Sequence, residues 1–164
     1  MTRRKCVLAV VLAVASVAVL SPFYKAPESI ASAMANGQYD QAVSLLKNPA
    51  LDSHSGAQAT LGNMYYLGLG VAQSFQQSAQ YYSRAAFAGS TAAQVNLGHL
   101  YSSGFGVEQD TPLAYAWFNL AKSNGSRIAP LYMAEMLSEH RLNFRVVEQL
   151  QIDYATIKQF TKLH

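Results

Sequence analysis

A period of thirty-six residues constrains this chain more than any other feature. Sliding the sequence on itself places Ala57-Gln58 on Ala93-Gln94, Leu61-Gly62 on Leu97-Gly98 and Tyr65 on Tyr101. The register continues with Gly68, Gly70 and Val71 on Gly104, Gly106 and Val107, then Gln73 on Gln109, Ala85 on Ala121 and Gly89-Ser90 on Gly125-Ser126. Twelve of the thirty-six aligned pairs are identical. A period of about 20 to 50 residues belongs to stacked supersecondary units, because one such unit cannot bury its apolar face without a neighbour. With 164 residues and 17.8 kDa in all, the chain holds a small repeat array or a single domain, and a fusion of two enzymes is excluded.

Each period contains two helical patterns. Ala57, Leu61, Met64 and Tyr65 fall on one face of a first helix, and Ala79, Tyr82, Ala85 and Ala86 on one face of a second. Gly68 and Gly70 mark the join, and the recurrence of Gly68 as Gly104 predicts positive φ at those two positions. Thr111-Pro112 reads as an N-cap hydroxyl with proline at N1, and Gly89-Ser90 and Gly125-Ser126 each read as a helix-ending glycine followed by a new N-cap. Gly62 and Gly98 lie inside helices, which costs about 0.5 to 1 kcal/mol. The expected compensation is close approach of a neighbouring helix backbone.

Ala57-Gln58, Leu61-Gly62, Met64-Tyr65, Gly68-Leu69-Gly70-Val71 and Gln73, then Tyr81-Tyr82 and Ala85-Ala86 before Gly89, resemble the Sel-one-like repeat. That family is related to the tetratricopeptide repeats and has a longer glycine-bearing loop between its two helices. The second copy matches as well, with Gln109-Asp110 and Trp117-Phe118. The resemblance implies an all-α, right-handed α/α solenoid of helix hairpins. It divides the chain into an N-terminal segment at 1–26, a degenerate leading hairpin within 27–56, repeats at 57–92 and 93–126, and a degenerate repeat with a C-terminal capping helix at 127–164. Val146, Leu150, Tyr154 and Ile157 are expected to pack that capping helix onto the array. By analogy with tetratricopeptide grooves, the partner-binding positions on the concave face are Ala59, Asn63 and Tyr66, then Val95, His99 and Ser102, then Leu131, Glu135 and Ser138. Asn63 and His99 are read as surface positions of little weight for folding, and Gln80 as a position on the opposite, convex face.

Charge and the N-terminus narrow the setting. The sequence pI is about 9.0, but four of the twelve cations lie within residues 1–26, leaving eight cations against nine anions in the body. That body lacks the basic stripe needed for nucleic acid. Arg3, Arg4 and Lys5 precede an apolar run over residues 7 to 20, broken only by Ser16, which has the geometry of a secretory signal and is short for a spanning helix. Cleaved signal and retained anchor both remain open, since Ala13-Val14-Ala15 is early for cleavage and Ala31-Ser32-Ala33 would cut into a helix. The expectation is an exported protein, periplasmic or secreted. Its membrane contact would be confined to the N-terminal segment. The single Cys6 excludes a disulfide framework within the chain and cysteine-based zinc; it precedes the apolar run, unlike a lipidated cysteine.

The candidates for chemistry are sparse. Gly68-Leu69-Gly70 follows a helix, and Gln73 stands where a dinucleotide fingerprint needs its third glycine, so it is a turn. His99 with Ser102 and Ser103 lacks a nucleophile elbow and an acid placed by sequence. Glu135, Glu139 and His140 read as a solvated helix face rather than a metal site, and Trp117-Phe118 as repeat core. The sequence therefore points to a non-enzymatic, monomeric module without cofactor or metal, binding a protein or peptide. The alternative is a structural or adaptor subunit of an envelope, secretion or cell-wall assembly without a free peptide groove.

Overall fold

The computed structural model describes residues 29–138 and Ile157, and the described residues form seven α-helices and one short 3-10 turn, with no strand. The helices are α1 (Ile30–Ala35), α2 (Tyr39–Leu46), α3 (Ser55–Leu67), α4 (Phe75–Phe87), α5 (Thr91–Ser103), α6 (Thr111–Ser123) and α7 (Ala129–Ser138), with the 3-10 turn at Pro49–Leu51 between α2 and α3. Each packs chiefly on its neighbours in sequence. The hairpin α1–α2 occupies the place of the degenerate leading unit, α3–α4 and α5–α6 are the two clear repeats, and α7 opens the degenerate third. Ala33 is helical and fully buried, so the late small-residue site at residues 31–33 lies within packed structure. Cys6, the apolar run at residues 7 to 20, and Val146, Leu150 and Tyr154 lie outside the described residues; Ile157 is helical and packs against the last two core clusters.

The core is divided among the junctions. Ala33, Ala42, Val43, Leu46, Leu61 and Met64 join the leading hairpin to repeat one. A second cluster joins repeat one to repeat two, with Tyr82, Ala85 and Ala86 against Ala93, Leu97, Leu100 and Trp117. A third joins repeat two to α7, with Phe118 and Ala121 against Met133 and Met136. Such a core grows by addition along one axis, as stacked repeats require.

The loop after each first helix is built twice with the same parts. Gly68 and Gly104 end α3 and α5 at φ 71° and 73°, in the left-handed region that glycine enters without steric cost. The Gln73 amide donates to Tyr66 O and the Gln109 amide to Ser102 O, both at 2.8 Å, satisfying last-turn carbonyls that helix ends leave open. Gly70 and Gly106 carry the tighter constraint. Besides φ of 68° and 72°, a Cβ on Gly70 would fall on the Tyr39 carbonyl and the Asp40 N–H, and one on Gly106 on the Phe75 carbonyl and the Gln76 N–H. Each loop thus rests, backbone on backbone, on the first turn of the second helix in the preceding hairpin.

Two local expectations change. Gly62 and Gly98 make room for a ring rather than a helix backbone: a Cβ there would meet Tyr82 and Phe118, the latter at 2.9 Å from Cε1, each on the other helix of the same hairpin. The N-cap of α6 is Asp110, whose carboxylate accepts from Leu113 N at 2.8 Å, so Thr111 is already helical and Pro112 sits one place deeper in the first turn. Ser74 occupies the same place before α4 and accepts from Gln77 N at 3.3 Å.

The buried glutamines show where the copies differ. The Gln94 amide donates to Ala86 O at 3.2 Å, and its Oε1 accepts from Asn124 Nδ2 at 3.0 Å. Gln58 is equally buried, but its Oε1 has no partner among the described residues, and Ala88 stands where repeat two has Asn124. Ala88→Asn is expected to raise stability by about 0.5 to 1.5 kcal/mol, one net hydrogen bond, in urea unfolding. Gly70→Ala and Gly106→Ala are expected to lower the urea midpoint more than Gly89→Ala. Gly89 also has positive φ, 87°, but nothing within 4 Å of the added Cβ, so it reports the left-handed cost of about 1 to 2 kcal/mol alone.

Candidate functional site

The first helices of successive units, α3, α5 and α7, supply most of one face. There Asn63, Tyr66, Val95 and His99 line an open groove of about 300 Å³ together with Leu67, Tyr82, Asn96 and Tyr132. A smaller hollow of about 160 Å³ adjoins it, sharing His99 and Tyr132 and adding Ser102, Ser103, Phe118, Glu135 and Met136. Six of the nine expected positions are therefore brought to one track. Ala59 is partly buried and packs against the core, and neither Leu131 nor Ser138 lines the track. Leu131 points to solvent at 69% exposure, and the Ser138 hydroxyl donates to Glu135 O at 2.8 Å within its own turn. Val95 is chiefly a core residue, only 5% exposed, that shows an edge at the groove.

Asn96 and Tyr132 escaped the sequence reading. They occupy a single repeat position, with Thr60 as its first copy, three residues ahead of Asn63, His99 and Glu135. The thirty-six-residue offset carried that signal, because a position whose copies are threonine, asparagine and tyrosine is not held by core packing.

Asn63 matters more to the fold than its expected near-neutrality for folding implies. Its Oδ1 accepts from the Tyr82 hydroxyl at 2.6 Å and from Asn96 Nδ2 at 3.4 Å. Tyr82 is almost wholly buried, and burial is the main cause that pushes its phenol up to about 12. In repeat two Phe118 replaces Tyr82, no hydroxyl needs an acceptor, and His99 stands where Asn63 was. The imidazole sits between rings, 6.4 Å from Phe105 and 6.4 Å from Tyr132. Tyr132 stacks on Phe118 at 5.0 Å, Phe105 on Phe75 at 5.0 Å, and Tyr66 meets Phe75 edge-on at 5.3 Å, so the aromatic contacts run without a break from repeat one to α7.

The groove through Asn63 and His99 holds no Lys, Arg, Asp or Glu side chain. Glu135, one period beyond His99, shares the smaller hollow with His99, Ser102 and Ser103, an acid that sequence order alone did not place there. No hydrogen bond joins these four side chains to one another among the described residues, so they form no relay. No three His, Cys, Asp or Glu side chains converge among the described residues; Glu139 and His140 lie outside them. Gln80 is not featureless either. It lines a third groove of about 390 Å³ with Gln76, Ser83, Tyr101 and Val107.

A row of helix hairpins, each closing its core against the next, defines an α/α helical-repeat protein. The Sel1 repeat model matches residues 55–90 and 91–126, so the two hairpins α3–α4 and α5–α6 are two Sel1 repeats. Two solved structures are similar. A Sel1 repeat protein from Oxalobacter formigenes is 28% identical with a TM-score of 0.65, over 70% of this chain and 47% of that one. A protective antigen of uropathogenic Escherichia coli strains displaying an SLR fold is 27% identical with a TM-score of 0.69, over 82% of this chain and 31% of that one. The chain thus spans less than half the length of either. No curated protein matches it. The Sel1 repeat is in general a unit of protein–protein interaction.

Asn63→Ala is expected to cost about 1 to 3 kcal/mol, because it strips the acceptor from a buried hydroxyl, and to become nearly neutral once Tyr82→Phe has removed that hydroxyl. A urea double-mutant cycle reads the difference. Alkaline unfolding supplies an independent sign. The native phenol, raised from 10.0 to about 12, keeps its proton where the unfolded one has lost it. That contribution is fully present below pH 10 and disappears as pH rises through about 12, and Tyr82→Phe is expected to flatten the fall in stability across this window.

Proposed function

We propose that this protein is a non-enzymatic interaction module of the cell envelope that holds an extended peptide segment of a partner protein along the face of α3, α5 and α7. The observation that carries the reading is the hydrogen-bonding groove through Asn63, Tyr66, Asn96, His99 and Tyr132, which no Lys, Arg, Asp or Glu lines and whose side chains change from copy to copy while the scaffold repeats. Interface energy concentrates in a few aromatic and polar anchors, and this track supplies both kinds. Export rests on Arg3, Arg4 and Lys5 ahead of the apolar run at residues 7 to 20, with the body of the chain on the far side of the membrane. No helix among the described residues is long and apolar enough to cross a membrane.

A carboxy-terminal alkaline phosphatase fusion is expected to be active in a bacterial host; an inactive fusion whose cytoplasmic-reporter counterpart works would contradict export. Pull-down from envelope fractions, with and without muramidase, is expected to retain one partner protein in both. The Tyr66→Ala/His99→Ala double variant is expected to weaken that capture at least about tenfold while its melting stays near that of the parent. Lys122→Ala, an exposed change on α6, is the control, since Gln80 lines a groove of its own. Capture lost on muramidase treatment would favour the cell-wall alternative.

A further inference from the structure

The geometry points to a proline-rich segment in the polyproline II conformation as the occupant of the groove, an inference that rests on the peptide-binding reading above. The known ways of holding a peptide each need something specific from the protein. Adding a strand needs an exposed sheet edge, and no strand exists among the described residues. An amphipathic helix needs an aliphatic trough, and only Leu67 and Val95 among the groove's lining side chains are aliphatic. Phosphorylated or acidic motifs, and a terminal carboxylate held by side chains, need cations, and the lining has no Lys or Arg. Polyproline II recognition needs aromatic walls and side-chain donors, with no charge. Tyr66, Tyr132 and His99, each partly exposed, are the aromatic walls, whereas Tyr82 is almost wholly buried and shows only an edge.

The donors are oriented. Asn63 is exposed to the groove, and its Oδ1 is already committed to the Tyr82 hydroxyl and to Asn96 Nδ2. What Asn63 presents to a ligand is therefore its amide N–H pair. An ordinary extended peptide offers carbonyls and N–H groups alternately, and the latter would find no acceptor at Asn63. A prolyl segment offers carbonyls without N–H groups, and it is stiff before binding, so little conformational freedom is lost in the complex.

Selection of a displayed library of random peptides of about twelve residues on the intact chain tests this. The expected result is a population enriched several-fold in proline over the starting library. Representative selected peptides should lose at least about tenfold in affinity to Asn63→Asp. That variant keeps an oxygen for Tyr82 while deleting the N–H pair, and it is expected to melt near the parent temperature. A selected population without proline enrichment, still lost in the Tyr66→Ala/His99→Ala variant, would overturn the polyproline inference and leave the groove reading standing. Proline-rich peptides that bind Asn63→Asp as tightly as the parent would overturn the role of the oriented amide. Selection no better on the parent than on the double variant would overturn the groove reading together with the inference.

Discussion

The array depends on one repeated contact, a glycine loop seated directly on the first turn of a neighbouring helix. Gly70 on Tyr39-Asp40 and Gly106 on Phe75-Gln76 leave no volume for a side chain, and both require positive φ. The contact ties the middle of one hairpin to the start of the second helix in the hairpin before it. It therefore sets how far each unit is advanced and rotated with respect to the last. The junction cores follow from that placement, with alanines at 85, 86 and 93 letting the helices come close enough for Leu97, Leu100 and Trp117 to close the seam. Hydrophobic burial supplies most of the free energy, but it is not directional, and the glycine contact selects which of many apolar matches is made.

Inside each hairpin a second pairing, of glycine with ring, decides what the groove can be. Gly62 receives Tyr82 and Gly98 receives Phe118. One hydroxyl separates the two copies, and its consequences reach the surface. In repeat one the buried phenol binds the Asn63 oxygen and orients that amide; in repeat two the phenylalanine asks nothing of its neighbour, and His99 is left to the aromatic run between Phe105 and Tyr132. The side chains presented at the surface are thus coupled to core packing through a single side-chain hydrogen bond. A low dielectric strengthens such a bond and makes its loss costly.

The sequence displayed the architecture because the repeat stated each element twice. Helix pairs, the left-handed glycines and the hairpin order were all legible from residues such as Gly68/Gly104 and Gly89/Gly125. What it could not display was contact between parts distant along the chain. Nothing local to Gly62 says whether a ring or a backbone lies against it, and Asp110 took the N-cap from Thr111 because a carboxylate one residue earlier bonds Leu113 N. The groove was legible in its period and blurred in its phase. Asn63, Tyr66, His99, Ser102 and Glu135 line the track, Val95 chiefly feeds the core, and the position of Thr60, Asn96 and Tyr132 went unread.

Native-state hydrogen exchange on the Gly106→Ala chain addresses the stacking contact most directly, because it reads the opening of each unit separately. In the parent chain, core amides of repeat one, such as those of Met64 and Tyr82, are expected to open together with those of repeat two, such as Leu100 and Leu120. In the variant, the repeat-two amides are expected to exchange through a separate, lower-energy opening while repeat one keeps its protection against the leading hairpin. Protection that falls equally in both units, or in neither, would contradict the assignment of inter-repeat coupling to the glycine loop.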